Sequence, residues 1–182
     1  MKELLKKELN KFSLEPSLID NFIESVSEGL NQNGIEIWIN TIKSFSNSQT
    51  SRIIIKNIIE ETPAILRSIP QSQYLEWVKQ CYRISEVSED LSITYVNATT
   101  GVIENLKPRH LLEWGNIGLS LYRSSKNSTS LVNNFFKYSP SLCLKLNYEE
   151  LEILNDTLKR ISTRSISFSI KILDWVLKIS SI

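Results

Sequence analysis

Three tryptophans, Trp38, Trp77 and Trp114, recur at intervals of 39 and 37 residues, each inside a segment whose apolar residues are spaced for one face of a helix. The segments read Ile35, Trp38, Ile39, Ile42, Phe45; then Tyr74, Trp77, Val78, Cys81; then Leu111, Trp114, Ile117, Gly118, Leu121. Apolar positions at i, i+3, i+4 and i+7 form one inward stripe on a helix, whereas a strand changes face at every residue. A period near forty fits a helix pair that buries its apolar face only by stacking on its neighbours, and it is longer than the roughly 34-residue tetratricopeptide unit.

A second landmark follows each Trp after 22 to 25 residues: Thr62-Pro63-Ala64, Thr99-Thr100-Gly101 and Ser139-Pro140-Ser141, each leading into an apolar run. A Ser or Thr that caps free N–H groups, followed by a Pro tolerated at the first helical position, predicts a helix restart as a short capped turn. The last apolar residue of the landmark lies eight positions before the next Trp, as Ile69 does before Trp77 and Leu106 before Trp114. The same offset from Leu146 reaches Leu154, so a fourth repeat is expected with Leu in place of Trp.

These signals predict helices at 2–12, 16–31, 34–46, 50–61 with a turn 63–69, 72–85, 88–105, 109–124, 128–138 with a turn 140–146, 148–162 and 164–180. Starts are marked by Ser13 ahead of Pro16, Ser88-Glu89-Asp90, Pro108 and Asn147-Tyr148-Glu149-Glu150. The expected fold is all-α: a HEAT-like helical-repeat array, an α-α superhelix of about four helix pairs. It forms one domain over 1–182, with repeats starting near 34, 72, 109 and 148 and the helices of 2–31 as a cap. Composition agrees, because 41% hydrophobic residues with only five Gly and five Pro suit neither a disordered tail nor a turn-rich β-protein.

The final helical segment carries two apolar stripes. At 100° per residue, Ile166, Ile170, Leu173 and Leu177 share one face, and Phe168, Ile172, Trp175, Val176 and Ile179 share the nearly opposite one. A terminal repeat needs a polar outer face, which makes Phe168, Ile172, Trp175 and Ile179 the candidate interface; packing of that face inside the array is the alternative. The segment is short and includes Lys171, Asp174 and Lys178, which argues against a membrane span.

Catalytic signatures are missing. The chain has no Gly-rich phosphate loop, HExxH, GxSxG or Cys/His metal spacing, so no enzyme activity, metal or cofactor is expected. His110 reads as a polar surface or boundary residue. Cys81 and Cys143 read as small core residues, and Glu60-Glu61 and Glu149-Glu150 as acidic pairs without metal-ligand partners. The phase of the tryptophans favours core packing over a stacking platform for ligands or bases. A net charge of +1 opposes a broad nucleic-acid footprint; the first 90 residues sum to −3 and the rest to +4. Arg109, Arg123, Lys126 and Lys137 fall in one repeat and are candidates for a local anion patch. The N-terminus, Met1-Lys2-Glu3-Leu4-Leu5, lacks a signal-peptide apolar stretch, so a cytoplasmic location is expected and Asn97, Asn127 and Asn155 are chance glycosylation matches.

Residues Leu112-Glu113-Trp114-Gly115-Asn116-Ile117-Gly118-Leu119-Ser120-Leu121, followed by Phe135-Phe136-Lys137-Tyr138-Ser139-Pro140-Ser141-Leu142, resemble the helical repeats N-terminal to the von Willebrand A domain of NorD-like proteins. The likeness is best over 111–146 and fades in the flanking repeats, where Trp77 keeps the phase without the Gly or the Phe pair. It implies an adaptor role beside a MoxR-type AAA+ ATPase. The metal-site signature Asp-x-Ser-x-Ser of that domain is not in this sequence, so metal-dependent function does not carry over. Taken together, the expectation is a non-catalytic scaffold that binds a protein partner. Self-association through the last helix and nucleic-acid binding by a HEAT-like surface are the alternatives.

Overall fold

A computed structural model describes residues 2–45 and 48–179. The described residues form ten α-helices and no strand: α1 (Lys2–Asn10), α2 (Pro16–Gly29), α3 (Gln32–Ser44), α4 (Gln49–Ser68), α5 (Gln71–Val87), α6 (Glu89–Ile103), α7 (His110–Ser124), α8 (Thr129–Cys143), α9 (Tyr148–Ser162) and α10 (Ile166–Ile179). The expected helix ends at 46 and 180 lie outside the described residues. The chain divides into two compact units, residues 1–100 and 101–182, with α6 running across the division.

Helix starts follow side-chain chemistry. Asn31, Ser48, Ser128 and Asn147 accept backbone N–H groups of Gly34, Ser51, Leu131 and Glu150, which removes orphan donors from the first turns of α3, α4, α8 and α9. At α9 the cap is reciprocal, because Glu150 Oε2 also accepts from Asn147 N at 2.9 Å. Ser13, expected to mark the start of α2, instead adopts φ 52° in the preceding turn, and α2 begins from Glu15 with Pro16 at its first position and no side-chain cap.

In the first unit α3 packs on α1 and α5, and α2 packs on α4; in the second, α7 packs on α9 and α8 on α10. Within each unit alternate helices therefore pack on one another, in addition to chain neighbours such as α1 on α2, α7 on α8 and α9 on α10. Trp38, Trp77 and Trp114 are fully buried, as the repeat phase predicts, and Leu154 is buried at the corresponding position of α9.

The landmarks are not helix restarts. Pro63 lies inside an unbroken α4 and Pro140 inside α8, and the hydroxyls before them cap nothing. Thr62 Oγ1 donates to Ile58 O at 2.7 Å, Thr99 Oγ1 to Tyr95 O at 2.9 Å and Ser139 Oγ to Phe135 O at 2.7 Å, each bonding back one turn. Their lone pairs receive the indoles. Trp77 Nε1 donates to Thr99 Oγ1 at 3.0 Å and Trp114 Nε1 to Ser139 Oγ at 2.8 Å. In the first repeat Tyr74 is interposed: Trp38 Nε1 donates to the Tyr74 hydroxyl at 3.0 Å, and that hydroxyl lies 2.9 Å from Thr62 Oγ1. Because the Thr62 proton goes to Ile58 O, Tyr74 donates to Thr62, and the relay runs in one direction. Burial pushes the Tyr74 phenol well above its usual range, so it keeps that proton. The landmark thus satisfies the one polar atom that each buried Trp brings into the core.

Candidate protein-binding surfaces

Helix α10 lies against α8 and α9. Of its first stripe Leu173 is fully buried, with Ile166, Ile170 and Leu177 half-buried against the unit. The second stripe points away: Phe168 is 43%, Trp175 52% and Ile179 72% exposed, with Ile172 and Val176 half-buried. Phe168 and Trp175 meet edge to face, 6.1 Å between ring centroids, so each holds the other's orientation. Lys145 Nζ donates to Leu177 O at 3.4 Å, tying the chain after α8 to the far end of α10.

With large side chains of about 150–250 Å² each, these exposures expose roughly 300 Å² of apolar surface. That equals the largest patch of an ordinary monomer and is under half of the ~800 Å² that one partner buries in a standard interface. The face therefore has the size of an interface core and not of a whole interface. Leu144, 67% exposed at the end of α8, adds an apolar side chain in the same unit.

Two of the four cationic candidates are far apart. Arg109 and Arg123 stand at opposite ends of α7, about 21 Å apart along its axis at 1.5 Å per residue. Lys126 sits in the turn after α7 with φ 53°, and Lys137 lies in the second half of α8; all four are exposed. Arg109 is also engaged, its Nε donating to His110 Nε2 at 2.7 Å.

His110, expected at the surface or boundary, is buried: its ring meets Tyr148 edge to face at 4.1 Å. Its Nδ1 lies 3.9 Å from Glu113 Oε2, beyond hydrogen-bond reach. Both cysteines are buried, and burial raises the Cys81 thiol well above its usual range and pushes Cys143 up to about 12. Neither forms a thiolate at neutral pH, which fits core packing and opposes a nucleophilic role. Among the described residues no group of three or more His, Cys, Asp or Glu is placed to hold a metal ion, and no helix is long and apolar enough to cross a membrane.

The acidic pair Glu149-Glu150 separates on folding. Glu150 is spent on the α9 cap, while Glu149 lines a groove between α7 and α9 with Glu113, Glu152 and Asp156. Sequence reading missed this cluster because Glu113 lies 36 to 43 positions before the other three acids; the i, i+3, i+7 spacing of Glu149, Glu152 and Asp156 was its one visible sign. The chain matches no protein-family model, no curated protein and no solved structure.

Proposed function

We propose that the protein is a non-catalytic, cytoplasmic adaptor, a HEAT-like helical-repeat array that binds another polypeptide. The observation that carries this reading is the outward apolar face of α10, where Phe168, Trp175 and Ile179 stand exposed on a helix whose opposite stripe is packed. Exposed aromatics on a rigid element lose little conformational entropy when covered and are the usual anchors of protein interfaces. Two observations support the array: helices pack on their chain neighbours or on the next but one within each unit, and the indole-to-hydroxyl bond returns with the sequence period. The likeness of residues 111–146 to NorD-like repeats makes a system built around a MoxR-type AAA+ ATPase the proposed setting.

Light scattering across a concentration series, on the wild type and on Trp175→Glu/Ile179→Glu, tests the reading. The double variant is expected to fold with unchanged helicity, since both side chains are exposed, and to lose any self-association of the wild type. A wild type that remains monomeric while the variant stays folded assigns the face to a different chain. A variant that unfolds shows the face to be internal packing, and the reading loses its support.

A further inference from the structure

Phe168, Ile172, Trp175 and Ile179 of α10 follow one another at intervals of four, three and four residues, the alternation of a heptad seam. At 3.6 residues per turn the four side chains fall within an arc of about 60°, along about 16 Å of helix. A helix that lies on a lipid surface needs a broad apolar face, of about 100° or more. The narrow stripe fits a second helix packed along it.

Charge borders the seam on its open edge. Lys171 and Lys178 are exposed along that edge, and no carboxylate among the described residues forms an ion pair with either. Asp174, the one acid of α10, is half-buried and accepts from the Tyr138 phenol of α8. The opposite edge is closed against the unit, with Ser169 buried and Val176 half-buried. At the N-terminal end of the seam a hollow of about 890 Å³ is lined by Ile161 and Phe168 together with Arg160 and Arg164. Residues 160–179 thus carry four cations to one acid, and that acid is turned to its own fold.

A second copy of the chain fits the seam by shape but not by charge. Paired antiparallel about a twofold axis, Phe168 of each copy meets Ile179 of the other and Ile172 meets Trp175, but Lys171 of each copy then stands against Lys178 of the other. Paired in parallel, the two copies bring their Arg160 and Arg164 side chains together. Like charges set against each other exclude a partner as effectively as a clash does. We propose that the outward face of α10 pairs with an acidic amphipathic helix of another protein, its apolar heptad residues on the seam and its Glu or Asp residues against Lys171, Lys178, Arg160 and Arg164. An apolar core with a charged rim is the ordinary anatomy of such a contact. The inference rests on the reading of this face as a binding surface and deepens it by naming the partner's chemistry.

Fluorescence anisotropy of the chain with two labelled helical peptides tests it: three repeats of Glu-Ile-Ala-Ala-Leu-Glu-Lys, and three of Lys-Ile-Ala-Ala-Leu-Lys-Glu, alike in their apolar seam and opposite in flanking charge. The acidic peptide is expected to bind, with an affinity that falls as salt rises, and the basic one to bind roughly tenfold more weakly or less. Lys171→Glu/Lys178→Glu is expected to weaken the acidic peptide about tenfold and to strengthen the basic one. Lys107→Glu/Arg123→Glu, the same change in charge made away from α10, is expected to leave both affinities within about twofold. Trp175→Glu/Ile179→Glu is expected to lose the acidic peptide. Equal binding of the two peptides, equal losses in the two charge variants, or no binding of the acidic peptide at low salt would overturn the proposal. So would co-sedimentation of the wild type with phosphatidylserine vesicles in place of peptide binding. Self-association that Trp175→Glu/Ile179→Glu abolishes, without binding of the acidic peptide, would overturn the acidic partner and keep the α10 face as an interface, so the two readings can fail separately.

Discussion

Gly118→Ala sets two calculable effects against each other. Replacing a helical Gly by Ala stabilises an exposed helix interior by about 1 kcal/mol. At Gly118 of α7, however, the added Cβ would overlap Cζ and Cε1 of Phe136 on α8, and even Cε2 would lie at 3.1 Å, against an ordinary carbon–carbon contact of about 3.5–4.0 Å. The ring cannot swing clear, since Phe136 is fully buried and held edge to face against Trp114 at 5.2 Å, with Phe135 at 5.8 Å on another side. Overpacking of this kind costs about 1–3 kcal/mol, and a rigid ring in a closed site belongs at the upper end. The net expectation is a loss of about 2 kcal/mol, or a melting temperature lower by roughly 4–8 °C for a chain of this length. Thermal unfolding followed by both far-UV circular dichroism and tryptophan fluorescence measures it. Gly118→Ala/Phe136→Leu, which shortens the opposing side chain, should recover part of the loss. A Gly118→Ala protein more stable than the wild type would refute the close approach of α7 to α8, because helix propensity would then act alone.

Two further predictions concern buried polar groups. Ser139→Ala removes the acceptor of the Trp114 indole and should cost about 1–3 kcal/mol for the orphaned N–H, whereas Ser139→Thr should cost much less; equal urea midpoints for the Ala variant and the wild type would show that the bond contributes nothing. Glu8, buried in α1 and paired with Lys11, is held below the usual carboxylate range chiefly by that hydrogen bond. The unfolded chain then binds the proton more readily, so the stabilisation is complete above the model-compound value of 4.5 and fades as pH falls through the lower folded value. The stability gap between wild type and Glu8→Gln should therefore close below that pH, and a gap that widens on acidification would contradict the pairing.

The sequence carried the helices well because their signals are local. Trp38, Trp77 and Trp114 occupy the buried phase that their spacing implies, and the Asn147 cap is legible in four consecutive residues. Thr62-Pro63 and Ser139-Pro140 misled for a physical reason: the same pair of residues serves at a helix start and inside a helix. The group each hydroxyl meets inside the helix, the Tyr74 phenol at Thr62 and the Trp114 indole at Ser139, arrives from another helix, and no local window contains it. His110 misled similarly, since a polar side chain at a helix start reads as exposed until Tyr148 closes over it. The two stripes of α10 were plain from periodicity, but which one faced outward depended on packing against α8 and α9. The acidic groove lay furthest from view, because its two walls come from helices separated by the whole of α8.

Hydrogen-bonded burial of three tryptophans, beside a fourth that is 52% exposed, divides the protein's own emission into two populations. Light from Trp38, Trp77 and Trp114 originates in sites that a dissolved quencher such as iodide does not enter. Trp175 stands within its reach. Quenchable fluorescence from the unlabelled chain therefore reports on α10 alone, and a molecule that covers that face would announce itself by shielding one emitter while the other three stay as they were.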